Sequence, residues 1–170
     1  EEAFGFTNAR ASARQGIFWG YISKSGKWII PAHFEEVEDF SGGMGRVKTN
    51  NRYGFVNPVG DLVIPAVYEQ AGEFQSGLAP VQKEGKWGFV DTKGETVIEF
   101  KYLEARSFRQ GVAQVGGIEG WGFIDPKGKE IVPLKHSSTG YGKPGEVWGK
   151  NDEGQKVVYN TTGKCLLNCP

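Results

Sequence analysis

The stretch KWGFVDTKGETVIEF, residues 86–100, sets a glycine directly beside a tryptophan inside a strand-like run. Glycine weakens a strand interior, so its presence there needs a reason. Strand alternation puts Trp87 and Phe89 on one face and Gly88 and Val90 on the other, so both faces carry apolar groups and the strand is expected to be covered on both sides. Asp91 and Gly94 frame a D-x-x-G turn. In such a turn the acid accepts hydrogen bonds from the turn backbone, and glycine takes the left-handed conformation. The return strand is ETVIEF. For Gly88 the expectation is a recess in which an aromatic ring of a neighbouring unit, from the Phe34 or Phe40 positions, lies against bare backbone, in preference to a β-bulge.

The same arrangement recurs. Trp19-Gly20, Tyr53-Gly54, Trp87-Gly88 and Trp121-Gly122 stand 34 residues apart each time. Each pair is followed by an aromatic residue (Tyr21, Phe55, Phe89, Phe123), a β-branched one (Ile22, Val56, Val90, Ile124) and a turn former (Ser23, Asn57, Asp91, Asp125). Three residues later comes Gly26, Gly60, Gly94 or Gly128. Further on stand a proline in three copies (Pro31, Pro65, Pro133), a ring (Phe34, Tyr68, Tyr102, His136) and a second ring (Phe40, Phe74, Phe108). Each unit then runs into MGRV, LAPV or VAQV. A fixed period of this length is the signature of a repeat architecture.

The repeats divide the chain, read as a single β domain, into a part-repeat at 1–17, repeats at 18–51, 52–85, 86–119 and 120–150, and a degenerate terminal repeat at 151–170. FTNARASA (6–13) aligns with FSGGMGRV, and VVYNTTGK with GFVDTKGE after one residue of slippage, which leaves Asn160 and Gly163 at the turn. Each unit is expected to supply three strands, the third meeting the next aromatic-glycine strand through a hairpin such as QKEGK. The fold class is therefore all-β: five 34-residue repeats in a meander of small antiparallel three-stranded sheets. Two closures fit, a propeller-like ring of five blades and an open β-solenoid array. The ring is favoured, with the two chain ends completing one shared blade.

Composition narrows the function. With 20 basic and 20 acidic residues dispersed along the chain, no basic footprint for nucleic acid or anionic membrane exists. No apolar run approaches the length of a membrane span, and the N-terminus lacks the form of a signal peptide. The only two cysteines, Cys165 and Cys169, either form a bridge, which would point to an oxidising compartment, or remain thiols on a tail.

The linked columns, WGF, the turn glycine, V/I-I/V-P, an aromatic, F-x-x-G and A-x-V, resemble the WG-repeat family, also called KWG repeats. The resemblance covers nearly the whole chain. It implies a bacterial protein, an extracytoplasmic location (secreted or surface), and a binding or scaffolding array without a shared catalytic residue. Tyr53 for Trp, Glu99 for Pro and the irregular segment 137–150 depart from the pattern.

Chemistry is sparse. Asp91 and Asp125 are the one tempting acid pair, but Ser23, Asn57 and Asn160 hold the same column, which a turn cap tolerates and a general acid does not. His33 and His136 have no partner at metal-ligand spacing, and no nucleophile or phosphate-loop motif occurs. No cofactor, metal or catalytic residue is expected. Ligand contacts are sought where large side chains break the repeat: Trp28, Tyr141 and Trp148, with the cationic or polar Lys135, His136, Lys143 and Lys150. The leading expectation is a non-enzymatic module for protein or peptide binding or scaffolding. The alternatives are a lectin-like glycan-binding array, whose contacts would repeat at the 34-residue step, and a structural spacer of a larger protein.

Overall fold

The computed structural model describes residues 2–3 and 10–169. The aligned stretch 6–13 and the part-repeat 1–17 thus lie partly outside the described residues. Strands account for the regular structure. They build five antiparallel sheets, each of four consecutive strands. The first sheet holds β1 (Glu2–Ala3), β2 (Arg10–Gln15), β3 (Phe18–Ser23) and β4 (Trp28–Phe34). The second holds β5 (Glu36–Val37), β6 (Gly45–Thr49), β7 (Arg52–Val56) and β8 (Leu62–Tyr68), and the third β9 (Gln70–Ala71), β10 (Leu78–Lys83), β11 (Lys86–Asp91) and β12 (Thr96–Tyr102). The fourth comprises β13 (Glu104–Ala105), β14 (Ala113–Gly116), β15 (Trp121–Ile124) and β16 (Glu130–His136); the fifth comprises β17 (Thr139–Tyr141), β18 (Glu146–Lys150), β19 (Lys156–Asn160) and β20 (Cys165–Leu167).

The all-β repeat array read from the sequence is present, with two corrections. The sheets have four strands, not three, because residues just after each return strand pair with the next sheet: Gln70 and Ala71 lie opposite Gln82 and Val81. Two-residue strands are too short for periodicity to reveal. Among the described residues, the two ends of the chain also do not share a sheet. Each sequence repeat gives its aromatic-glycine strand and return strand to one sheet and its last two strands to the next, so the sheet boundary falls after the return strand. One sequence repeat therefore links two sheets covalently.

The glycine of each pair is explained by pairing register. Trp87 lies opposite Tyr102 and Phe89 opposite Ile98, so Gly88 alone faces Glu99, Phe100 and Lys101. The same one-against-three bulge occurs at Gly20, Gly54 and Gly122. A Cβ on Gly88 would stand 2.7 Å from the Ile98 carbonyl oxygen, and one on Gly54 2.6 Å from that of Ile64. On Gly20 and Gly122 it would crowd the carbonyls of Ile30 and Val132 more closely still. The expected recess for a neighbouring unit's ring is thus replaced by close approach of the bulged return strand. Pro31, Pro65 and Pro133 lead the three extra residues, on strands at the sheet ends, where a missing N–H costs little.

The turns form as expected. Asp91 Oδ1 accepts from the backbone N–H groups of Lys93 and Glu95, both at 2.9 Å, and Asp125 does the same for Lys127 and Lys129. Asn57 and Asn160 act alike, and the hydroxyl of Ser23 accepts from Lys27 N at 3.2 Å. Gly60, Gly94 and Gly128 have φ of 103°, 84° and 79°. They also lie against Ile30, Ile64 and Ile98 of the preceding sheet, at ordinary to tight contact for an added Cβ. The turn of one sheet therefore rests on the edge strand of the one before.

Burial is organised by junction. Four apolar clusters each join two consecutive sheets, for example Phe89, Ile98, Tyr102, Phe108, Val115 and Ile124 between the third and fourth. On β11, Phe89 packs in that cluster while Val90 packs in the cluster shared with the second sheet, so the strand is covered on both faces. Full burial of a side chain of this kind contributes about 1.5–3 kcal/mol. Each junction also carries an edge-on or tilted ring pair: Tyr21–Phe40 (4.9 Å), Phe55–Phe74 (4.8 Å), Phe89–Phe108 (5.1 Å) and Phe123–Tyr141 (5.2 Å). Tyr141 thus continues the second-ring column one residue out of phase.

Candidate binding grooves between the sheets

The seven side chains expected to contact a ligand do not converge on one place. His136 is 2% exposed in the aromatic column, and its Nδ1 donates to the Lys150 carbonyl at 3.0 Å while Nε2 is buried without a partner. Gly149 lies against the His136 ring, and Lys150 keeps an exposed side chain. Tyr141 packs on Phe123, with Arg109 over its ring at 5.1 Å. Trp148 donates from Nε1 to the Tyr141 carbonyl at 3.2 Å and is capped by Lys156 at 4.4 Å. Lys143 is exposed, and Trp28, in the first sheet on edge strand β4, is 39% exposed. A cleft of about 210 Å³ with a mixed polar and apolar lining lies beside His136, between Lys135, Asn151, Gln155, Val157, Tyr159 and Asn168. Cys165, the first residue of β20, and Cys169, just beyond that strand, are disulfide-bonded, with Cα atoms 5.7 Å apart.

What the structure brings into view is a column that sequence reasoning passed over: Ser12, Arg46, Pro80, Gln114 and Trp148, one per sheet at the 34-residue step, each on the second strand. In the first four sheets this position lies on the side of the following sheet, whereas Trp148, on the last sheet, packs within its own. Gln114 Nε2 donates to Thr139 of the fifth sheet, at 2.7 Å to Oγ1 and 3.2 Å to the carbonyl. Arg46 Nη1 reaches the equivalent carbonyl, that of Ala71 in the third sheet, and Nη2 pairs with Glu38 at 2.8 Å. Both ties span 25 residues. At the first groove, the corresponding positions are Ser12 and Val37. A serine is too short to make this span. A cavity of about 450 Å³ remains there, lined among the described residues by Ser12, Trp19, Glu36, Val37, Glu38 and Asp39. A smaller one of about 250 Å³ lies at the equivalent place beside Gln114, Trp121, Ser138 and Thr139.

Cations sit over the rings of this face. Arg14 lies 5.6 Å from the Trp19 ring centroid and Arg106 5.8 Å from that of Trp121, while Arg46 and Lys48 approach the Tyr53 ring at 5.5 and 5.3 Å. Glu36 bonds Lys48 at 2.6 Å and the Tyr53 hydroxyl at 3.2 Å. The hydrogen-bonded Lys48 ammonium holds the Glu36 carboxyl below the usual carboxylate range, aided by Tyr53 and Arg46. Tyr21 donates to the Glu38 carbonyl at 2.5 Å. Burial, and then the charges of Asp39 and Glu38, raise its phenol well above the ordinary value. Among the described residues, no group of three or more His, Cys, Asp and Glu is placed to hold a metal, and no helix is long and apolar enough to cross a membrane.

A search of curated proteins returns no match. Among solved structures, the chain is similar to one titled "YCF48 bound to D1 peptide", at 15% identity and a TM-score of 0.48, covering 94% of this chain and 63% of that one. The present chain therefore spans less than two thirds of that structure. The family model described as "WG containing repeat" matches residues 19–53, 53–87, 87–116 and 121–135. These matches begin at the aromatic-glycine pairs around which the bulges form, and the chain belongs to the WG-repeat family.

Proposed function

We propose that the chain is a non-enzymatic repeat module that binds a protein or peptide partner through the grooves between its sheets. The observation that carries this reading is the groove column itself. The packing residues repeat from sheet to sheet, whereas Ser12, Arg46, Pro80, Gln114 and Trp148 differ in size, charge and hydrogen-bonding capacity. A lectin-like array would need one contact set copied at each step. A different residue at each step of this column suits one partner read along several sheets, because specificity needs distinct contacts rather than copies. The test is capture of a partner from a lysate of the source organism by wild type and by variants altered at the groove column, beside a glycan array. Capture lost on changing Gln114 and Trp148, with no glycan bound, is the expected result. Specific sugar binding that depends on the repeated turns, with groove variants unaffected, would overturn it.

A further inference from the structure

The first groove differs from its neighbours in a way that points to what fills it. In the second groove the fold holds a guanidinium of its own: Arg46 extends from β6, stacks near the Tyr53 ring with Lys48 on the same ring, and reaches the Ala71 carbonyl of the next sheet. One repeat earlier, every fixed part of that arrangement recurs except the arginine. Trp19 stands for Tyr53, Arg14 for Lys48, and Val37 for Ala71; Ser12 stands for Arg46. The space that Arg46 fills in one groove corresponds to the cavity of about 450 Å³ in the other.

The lining has changed in the complementary direction. Where the built-in arginine lies, the next sheet presents Gln70, Ala71, Gly72 and Glu73; where it is missing, the sheet presents Glu36, Val37, Glu38 and Asp39. Three carboxylates replace one. Glu36 and Glu38 also hold Lys48 and Arg46, and Asp39 has an interaction of its own, yet an ionised carboxylate has about four acceptor sites and can serve more than one partner. The negative charge at this place is felt at the Tyr21 hydroxyl, whose proton Asp39 and Glu38 help to retain. A tryptophan face, a backbone carbonyl and carboxylates in one cleft suit a planar, delocalised cation better than a compact ammonium.

We infer that the groove between the first and second sheets receives an arginine side chain of a protein or peptide partner, seated against Trp19 and the Val37 carbonyl as Arg46 is seated one groove on. This rests on the partner-binding reading above and specifies one of its contacts.

The experiment uses the whole chain and acetyl-Gly-Arg-Gly-amide, with the citrulline peptide as the uncharged isostere, followed by backbone and indole NMR. Saturable shifts at Ser12, Trp19, Val37 and Glu38 with the arginine peptide, and weaker binding of the citrulline peptide by about tenfold or more, are expected. Ser12→Arg fills the groove from within and should abolish the shifts while raising the melting temperature. Should S12R fold poorly, Ser12→Gln supplies the tie made by Gln114 and should block the peptide in the same way. No shifts in the wild type, equal binding of citrulline, or unaltered binding in a folded S12R or S12Q chain would overturn the inference. A partner still captured by S12R would leave the broader binding reading standing while this contact falls.

Discussion

Replacing Gly88 with alanine tests the bulge most sharply, because one methyl group is added where backbone already stands. The new Cβ would lie 2.7 Å from the Ile98 carbonyl oxygen and 3.1 Å from both the Glu99 carbonyl carbon and Phe100 Cδ1. The two nearest atoms are main chain and cannot rotate away, so β12 must retreat from β11 by about half an ångström. Overpacking of this kind costs about 1–3 kcal/mol. Alanine narrows the unfolded ensemble and returns about 0.4–1 kcal/mol, since Gly88 does not require positive φ. A net loss of about 1–2 kcal/mol follows, which for a chain of this size lowers the melting temperature by about 2–8 °C. Thermal unfolding followed by circular dichroism measures it, with exposed Lys93→Ala as control. Gly122→Ala, where the added atom approaches the Val132 carbonyl more closely, should cost more than Gly88→Ala. Alanine at Gly88 that melts at or above wild type would refute the close-approach explanation. So would a large loss fully rescued by changing Phe100 alone.

The turns give a second prediction: Asp91→Ala loses two hydrogen bonds to Lys93 and Glu95 and should destabilise by about 1–2 kcal/mol in urea unfolding, whereas Asp91→Asn, the residue at position 57, should stay within about 0.5 kcal/mol. At high pH the buried phenols matter. Burial raises Tyr21, Tyr68, Tyr102, Tyr141 and Tyr159, so the folded state keeps protons that the unfolded chain releases above about pH 10. Their stabilisation is complete below that pH and falls as pH rises further, by at most about 1.4 kcal/mol per unit for each tyrosine. Tyr21→Phe, which places in the first sheet the ring found at 55, 89 and 123, should lose about 1 kcal/mol at neutral pH with its bond to Glu38, yet show a shallower alkaline fall in urea titrations from pH 8 to 11. The Cys165–Cys169 bridge closes only a small loop, so reducing it should cost no more than about 2 kcal/mol, with faster amide exchange confined to β19 and β20.

Much of the fold was legible because its determinants are local and repeated. The aromatic-glycine pair, the turn acid and the turn glycine each occupy one strand or one hairpin, and all keep the 34-residue phase. Features that live between strands were not legible. The role of Gly88 depends on three extra residues in its partner strand, a matter of pairing register that reading one strand conceals. Tyr141 reads as a departure from the pattern and not as a member of the ring column because the column slips by one residue after Phe108, and Trp148-Gly149 imitates the repeat signature while lying on a different strand of the sheet. Two of the three aromatics chosen for ligand contact, Tyr141 and Trp148, come from this irregular segment, where Tyr141 supplies the ring that packs on Phe123. The groove column carried a readable signal, five different residues in a fixed phase next to fixed small apolar ones, but its meaning required knowing that this phase faces the next sheet.

The central claim is that one glycine in each aromatic-glycine strand faces three residues of its return strand, which sets the register of the first four sheets. Cross-strand backbone NOEs read this directly. The account predicts contacts from Trp87 to Tyr102 and from Phe89 to Ile98, with the same pattern at Trp19, Tyr53 and Trp121. An unbroken ladder in which Gly88 pairs with a single residue, and Trp87 with the second residue beyond it, would contradict it.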